Sequence, residues 1–120
     1  MHPKLTNRET GFFGEKLAED HLVALGYKIL DRNWRYSRSE IDLIAMHEKI
    51  LVFIEVKTRA YDYFGPPESF VSDQKELLMY EAASVYMDKI NHDWEFRFDI
   101  VAIILNKSGN HKIEHFPDAF

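Results

Sequence analysis

The sequence contains no cysteine. That excludes disulfide staples, thiolate metal ligands and thiol nucleophiles, and it fits an expected cytoplasmic location. Long apolar runs are also missing. Nothing approaches the ~18 residues of a membrane span, so no membrane partner is expected. The stretch from Met1 to Glu9 lacks the apolar core of a signal peptide. No internal repeat, low-complexity tract or linker-like stretch interrupts the chain, so one domain over residues 1–120 is expected. Positive charge is in deficit, with 15 Lys and Arg against 20 Asp and Glu, a net charge of −5. Strong non-specific nucleic-acid binders are usually basic, so this balance speaks against one. It is compatible with a protein whose acids gather around a bound cation.

What is present centres on residues 39–59. Glu40-Ile41-Asp42-Leu43-Ile44-Ala45-Met46 and Ile50-Leu51-Val52-Phe53-Ile54-Glu55-Val56-Lys57 are nearly continuous apolar runs rich in β-branched residues. Strands covered on both faces read this way. A two-residue turn at Glu48-Lys49, or a four-residue loop over His47 to Ile50, makes paired residue numbers sum to a constant. Met46 then opposes Leu51, Ile44 opposes Phe53, Asp42 opposes Glu55 and Glu40 opposes Lys57. Residues two apart share a face, so the four charged residues form one patch continuous with Ile44, Phe53, Met46 and Leu51. The turn lacks Asn-Gly or any other glycine that would pin it. A loop one residue longer or shorter would put the acids on opposite faces.

Charges on otherwise buried strands are costly unless they are paired or bind an ion. Two opposed carboxylates repel, and a divalent cation resolves the repulsion. Mg²⁺, or Mn²⁺, takes oxygen ligands and is typically held by one or two carboxylates together with substrate phosphate. A lysine beside it can orient water or neutralise charge developing on a phosphate. Asp42, Glu55 and Lys57 supply this set, with Glu40 behind them. The alternative is a self-satisfied buried ion pair of Lys57 with Glu55 or Glu40.

Asp42 followed by Glu55-Val56-Lys57 resembles the D…(D/E)-x-K signature of restriction-endonuclease-like nucleases. A wider set extends the likeness: Gly14-Glu15 with Ala18, Glu40 to Ala45, Val52 to Arg59, Gly65, Lys75, Arg97 to Val101, and His115 with Ala119-Phe120. Together these resemble the YraN-like family of predicted bacterial nucleases over nearly the whole chain. That family is similar in fold to the archaeal Holliday-junction resolvases. The resemblance implies a restriction-endonuclease-like three-layer α/β domain, order α-β-β-β-α-β-β, with a central mixed sheet flanked by helices. It implies a metal-dependent endonuclease acting on DNA, including branched DNA. Asp42, Glu55 and Glu15 would be metal ligands, Lys57 the catalytic lysine and Glu40 their support. A resolvase-like activity would further imply a homodimer. The alternative class is a non-catalytic nucleic-acid-binding or protein-interaction module that keeps the fold. Ser39 departs from the family, which usually has glycine before Glu-Ile-Asp.

The remaining elements follow from periodicity. A helix is expected over about Glu9 to Leu25, opened by a capping box at Thr6-Asn7-Arg8-Glu9 and stopped by Gly26. Its apolar arc would be Phe13, Leu17, Ala18, Leu22, Ala24 and Leu25, with Glu15 at the edge. Gly11 and Gly14 lower helix propensity and are read as points of close approach to the sheet. Tyr27 to Trp34 reads as a strand running into Arg32, Arg35 and Arg38 interleaved with Trp34 and Tyr36. Arginines can grip phosphates and aromatics can stack on bases; solvated arginines on an edge strand are the alternative. Ala60 to Val71, containing Gly65-Pro66-Pro67, reads as a loop bordering the site. A second helix is expected over Asp73 to Lys89 with Ser72 as N-cap. Lys75 points inward from its first turn, where the helix dipole disfavours a cation, so it wants an anion. Lys75, Arg32, Arg35, Arg38 and Arg59 are the substrate-backbone candidates. Strands at Glu95 to Leu105 and His111 to Phe116 complete the chain. Arg97 and Asp99 share a face and read as an ion pair. His111 and His115 lie roughly 13 Å apart along a strand, too far to share a metal.

Overall fold

A computed structural model describes residues 7–60, 72–106, 108 and 110–120. Seven elements follow one another: α1 (Asn7–Ala24), β1 (Lys28–Tyr36), β2 (Ser39–His47), β3 (Ile50–Ala60), α2 (Asp73–Lys89), β4 (Phe96–Leu105) and β5 (His111–Phe116). The strands form one sheet in the order β1-β2-β3-β4-β5. β1, β2 and β3 are an antiparallel meander. α2 carries the chain across to β4, which runs parallel to β3, and β5 returns antiparallel along β4. A single parallel pair at the centre makes the sheet mixed. Thr6 of the expected capping box and the Gly65-Pro66-Pro67 loop lie outside the described residues.

The two helices cover opposite faces. Ala18 and Leu22 of α1 pack with Tyr27, Leu43, Ala45, Val52, Ile54, Val101 and Ile103. Met79, Ala82, Ala83 and Tyr86 of α2 pack with Ile41, Ile44, Leu51, Phe53 and Phe98. β3 and β4 therefore contribute to both cores, and their inward side chains are almost wholly apolar, as a strand covered on both faces requires. The apolar arc of α1 is narrower than its periodicity predicts. Phe13 and Leu25 are exposed, and the buried stripe is Gly14, Ala18 and Leu22, four residues apart. The helix ends at Gly26, whose φ of +94° suits a Schellman cap. Tyr27 N donates to Leu22 O and Gly26 N to Val23 O, both at 3.0 Å. At α2 the Ser72 side chain accepts from Lys75 N at 3.2 Å, the N-cap that the sequence indicates.

The β2–β3 turn has two residues, Glu48 and Lys49, with φ of 50° and 71°. Two successive positive φ values are the type I′ condition, which matches the twist of a hairpin. Met46 pairs with Leu51 and Ile44 with Phe53, the register read from the sequence. The ladder of paired residues ends at Leu43 and Ile54. Asp42 and Glu55 are not a cross-strand pair, nor are Glu40 and Lys57. β2 continues alongside β1, pairing Glu40 with Arg35, while β3 continues alongside β4, pairing Lys57 with Ala102. The centre of the sheet is thus forked.

Alternation also breaks at the fork. Ile41 and Leu43 are two apart, yet Ile41 packs beneath α2 and Leu43 beneath α1. A regular strand would put both on one face. The extrapolated single patch is corrected accordingly. Ile44, Phe53, Leu51 and Met46 share the α2 face, whereas Asp42 reaches towards α1.

Candidate functional site

The fork opens into a cleft of about 790 Å³ lined by Glu15, Glu40, Asp42, Glu55 and Lys57, with Asn33, Arg35 and Phe12 among its walls. Each strand end contributes for a definite reason. Where the β2–β3 ladder stops, the amide of Val56 loses its cross-strand carbonyl. It donates instead to Asp42 Oδ2 at 2.8 Å. A side chain thus fills the missing rung, so no buried donor is left unpaired. This bond fixes Asp42 in the fork.

α1 brings Glu15 to the same place. Gly14, which precedes it, is buried directly over β3, and a Cβ there would overlap Thr58 Oγ1. The missing side chain lets the helix approach the strand that carries Lys57. Gly11 lines the cleft but has nothing within 4 Å of such an added atom, so close approach is required at Gly14 alone. One carboxylate oxygen from each of Glu15, Glu40 and Asp42 lies within 4.8 Å of the others. All three residues are half-buried.

Burial and proximity show in the proton affinities of Asp42 and Glu15. Burial, reinforced by the charges of Glu55 and Glu15, pushes the Asp42 carboxyl up to about 8, against the pull of the Val56 amide. Burial and the neighbouring Glu40 raise Glu15 as well. Such a group of acids is more stable with a cation among them.

Glu55 is held differently. It is 5 % exposed, and its Oε1 lies 3.0 Å from Lys57 Nζ and 2.5 Å from Lys75 Nζ. Lys75 descends from the first turn of α2, so its inward direction is answered by a site carboxylate. Burial lowers the Lys57 ammonium, with Glu55 opposing the shift. Burial also pulls Lys75 downward, but the bond and charge of Glu55 outweigh it and leave it raised. The site therefore has an acidic side, Glu15, Glu40 and Asp42, and a lysine-rich side around Glu55.

The basic residues divide. Arg35 Nη2 binds Glu40 Oε2 at 2.7 Å and lines the cleft. Arg59 also lines it, and donates to Thr58 O at 2.9 Å. Arg32 is drawn aside by Glu19 of α1, at 2.5 Å. Arg38 is exposed in the turn between β1 and β2. Neither belongs to the walls of the cleft. Glu40 is held by Arg35 across the β1–β2 ladder, whereas the sequence reading placed it opposite Lys57.

Asp99 does not line the cleft. It is fully buried under a complete set of donors: Arg97 Nε at 2.9 Å, the Asp118 amide at 3.0 Å and His115 Nε2 at 2.7 Å. Arg97 Nη2 also donates to the Tyr27 hydroxyl at 2.7 Å. This network ties β4 to β5, to the start of β1 and to the C-terminal turn. His115 therefore has a structural task beside Asp99.

Sequence reasoning missed Asn33 and Phe12. Phe12 is 55 % exposed at the rim of the cleft, because the helix face beside Gly11 is turned away from both cores. The signal for Asn33 was an asparagine within a strand pattern, a residue type that tolerates left-handed backbone.

Five strands in one mixed sheet, two covering helices, and acids and lysines meeting where the central strands part define an α/β domain of order α-β-β-β-α-β-β. The chain belongs to the uncharacterised protein family UPF0102, whose model matches residues 14–103. It is 44% identical over 114 residues to the UPF0102 protein FP2501 of Flavobacterium psychrophilum, and 45% identical over 119 residues to a UPF0102 protein of Flavobacterium johnsoniae. A UPF0102 protein of Clostridium botulinum is 38% identical over 117 residues. In each case the match covers 95% of both chains. Among solved structures, the Pyrococcus furiosus protein SfsA in complex with Ca²⁺ is a distant likeness, with a TM-score of 0.38 and 15% identity. That match covers 92% of this chain and 63% of the other. Among the described residues no helix is long and apolar enough to cross a membrane.

Proposed function

We propose that this chain is a divalent-metal-dependent endonuclease that hydrolyses phosphodiester bonds, with DNA as its substrate class. The observation that carries the reading is the convergence of Glu15, Glu40 and Asp42 with Glu55, Lys57 and Lys75 in one open cleft. The donor set fits Mg²⁺ or Mn²⁺, since every acidic ligand is a hard oxygen and the three clustered acids are too close to remain comfortably charged alone. Glu15, Glu40 and Asp42 would hold the ion, with Glu55 on the far wall. When bound, it supplies Lewis-acid stabilisation of phosphate oxygens and acidifies a coordinated water.

The chain's own groups do the rest. Lys57 Nζ donates to the phosphate oxygen on which negative charge develops, where a preoriented donor is worth most. Glu55 keeps both lysine heads at the cleft wall until phosphate replaces it as their partner. Arg35 and Arg59 contact neighbouring phosphates. Arg32, which lines an adjoining pocket with Glu15 and Asp42, and Arg38, exposed in the β1–β2 turn, would contact substrate backbone outside the cleft. The exposed ring of Phe12 offers a stacking surface for an unpaired base.

A specific feature favours the rival reading of a non-catalytic module: Glu55 already satisfies two lysines in a closed ion pair. Cleavage of a panel of single-stranded, duplex, flapped and four-way-junction DNA and of RNA, with Mg²⁺ or Mn²⁺, decides between them. Cutting by the wild type that Asp42→Asn abolishes supports the nuclease. Lys57→Ala should lose at least about 10²-fold in rate while still binding Mn²⁺. No cutting and no metal binding would favour the module.

A further inference from the structure

Asn33 stands in the middle of β1 with a φ of 50°, a left-handed backbone inside a strand. The rungs on either side, Arg32 with Leu43 and Trp34 with Ile41, keep one register, and the ladder's register shift lies earlier, between Ile29 and Asp31. The residue across from it is Asp42. This backbone turns the Asn33 side chain into the cleft. With the amide nitrogen facing the acids, it donates to Glu15 Oε1 at 3.0 Å and to Glu40 Oε1 at 3.2 Å. The other oxygen of Glu40 is held by Arg35 at 2.7 Å. Two residues of one edge strand therefore grip Glu40 from both sides, and one of them also reaches the acid of α1.

We infer that Asn33 is a positioning residue that clamps Glu15 and Glu40 at the spacing a divalent cation needs. The inference rests on the metal reading above. An amide suits the task. Its two N–H groups satisfy two carboxylates without adding a charge that would compete with the cation. A lysine in its place would pair with the acids and exclude the ion. Left-handed backbone is unfavourable for most residues, while asparagine and glycine tolerate it. The chain thus adopts a sparsely populated conformation at a strand position that faces the acids. Groups that orient metal ligands typically govern metal affinity by 10–100-fold.

Asn33→Gly separates the clamp from the backbone. Glycine accommodates a φ of 50° more readily than asparagine, so the variant keeps the turn and loses only the amide. Isothermal titration of the full chain with Mn²⁺ reads the affinity, and thermal melts without metal read the fold. The expected result is a cooperative metal-free melt, with Tm lowered by no more than the loss of two hydrogen bonds, and Mn²⁺ binding weakened about 10-fold or more. A role limited to holding the left-handed turn predicts wild-type affinity in Asn33→Gly, and that result would overturn the clamp while leaving the metal reading intact. Loss of the cooperative melt would overturn it too, because residue 33 would then be a support of the whole fold. Failure of the wild type itself to bind Mn²⁺ would remove the metal reading and the clamp together.

Discussion

Replacing Gly14 by alanine sets two physical effects against each other. Gly14 lies within α1, and by intrinsic propensity an alanine there should stabilise the helix by about 1 kcal/mol. The fold opposes this. A Cβ at residue 14 would overlap Thr58 Oγ1 and stand 3.0 Å from Thr58 Cβ and 3.3 Å from Cγ2. Thr58 is β-branched and stiff at χ1. Rotation can move the hydroxyl, but the branch carbon stays. α1 and β3 must separate, and overpacking of this kind costs roughly 1–3 kcal/mol. The helix contact also aligns Glu15 with Asp42, so the displacement reaches the acidic cluster. We expect Gly14→Ala to lower stability by about 0–2 kcal/mol net, near 4 °C in Tm per kcal/mol for a chain of this size. Denaturant melts of Gly14→Ala, Thr58→Ala and the double variant form the assay. Thr58→Ala removes Oγ1 and Cγ2, so the double variant should recover part of the loss, a coupling of at least about 0.5 kcal/mol. An alanine at 14 that stabilises the protein, or a cycle with no coupling, would refute the close approach of α1 to β3.

Glu48→Asn combined with Lys49→Gly should stabilise the chain by about 1–2 kcal/mol, because both positions hold left-handed φ that ordinary side chains resist; chemical denaturation measures it. Asp42→Asn should raise the metal-free Tm at pH 8. The Asp42 carboxyl is pushed up to about 8, so ionising it costs stability as pH climbs from its unfolded value towards 8. The advantage of the variant should fade as pH falls towards 4, and melts at several pH values would show whether the two curves converge. Asp99→Ala should cost about 3–5 kcal/mol by orphaning Arg97 and His115. Burial raises the Asp99 carboxyl, but His115, Arg97 and the Asp118 amide outweigh it and hold it below the usual range. Its stabilisation is complete above the unfolded pKa and lost as pH falls through the lower folded value. Asp99→Asn should therefore flatten the acid limb of the stability profile, as acid titration by circular dichroism would reveal.

Much of this architecture is local and legible in the residues. Gly26 stops α1 because only a residue free of a Cβ suits a φ of +94° at little cost. Ser72 opens α2, and the apolar runs of β2 and β3 fix a register that repeats every two residues. The hairpin pairing from Met46–Leu51 to Ile44–Phe53 follows from a turn of two residues, although Glu48-Lys49 carries no turn signature of its own. Asp42, Glu55, Lys57 and Lys75 could be nominated because charges in apolar surroundings need a reason to be there, whereas Glu15, at the edge of its helix arc, was nominated through the family resemblance.

Only the tertiary structure decided how those charges are grouped. Extrapolating the hairpin's alternation placed Asp42 opposite Glu55 and Glu40 opposite Lys57. Alternation holds only while both strands stay paired. β2 is pulled away by β1 and β3 by β4, and the break between Ile41 and Leu43 turns Asp42 towards α1. Glu40 therefore joins Glu15 and Asp42, while Glu55 is left to two lysines from β3 and α2. Arg32 was indistinguishable from Arg35 in a string of basic residues, yet one meets Glu19 and the other Glu40 across different elements. Asn33 looked like a strand residue among arginines, yet its backbone is left-handed between two regular rungs of the edge strand. Residue types set which chemistry is available, because they are fixed along the chain. Which groups meet depends on where strands part and how closely a helix approaches, and those are properties of neighbours distant in sequence.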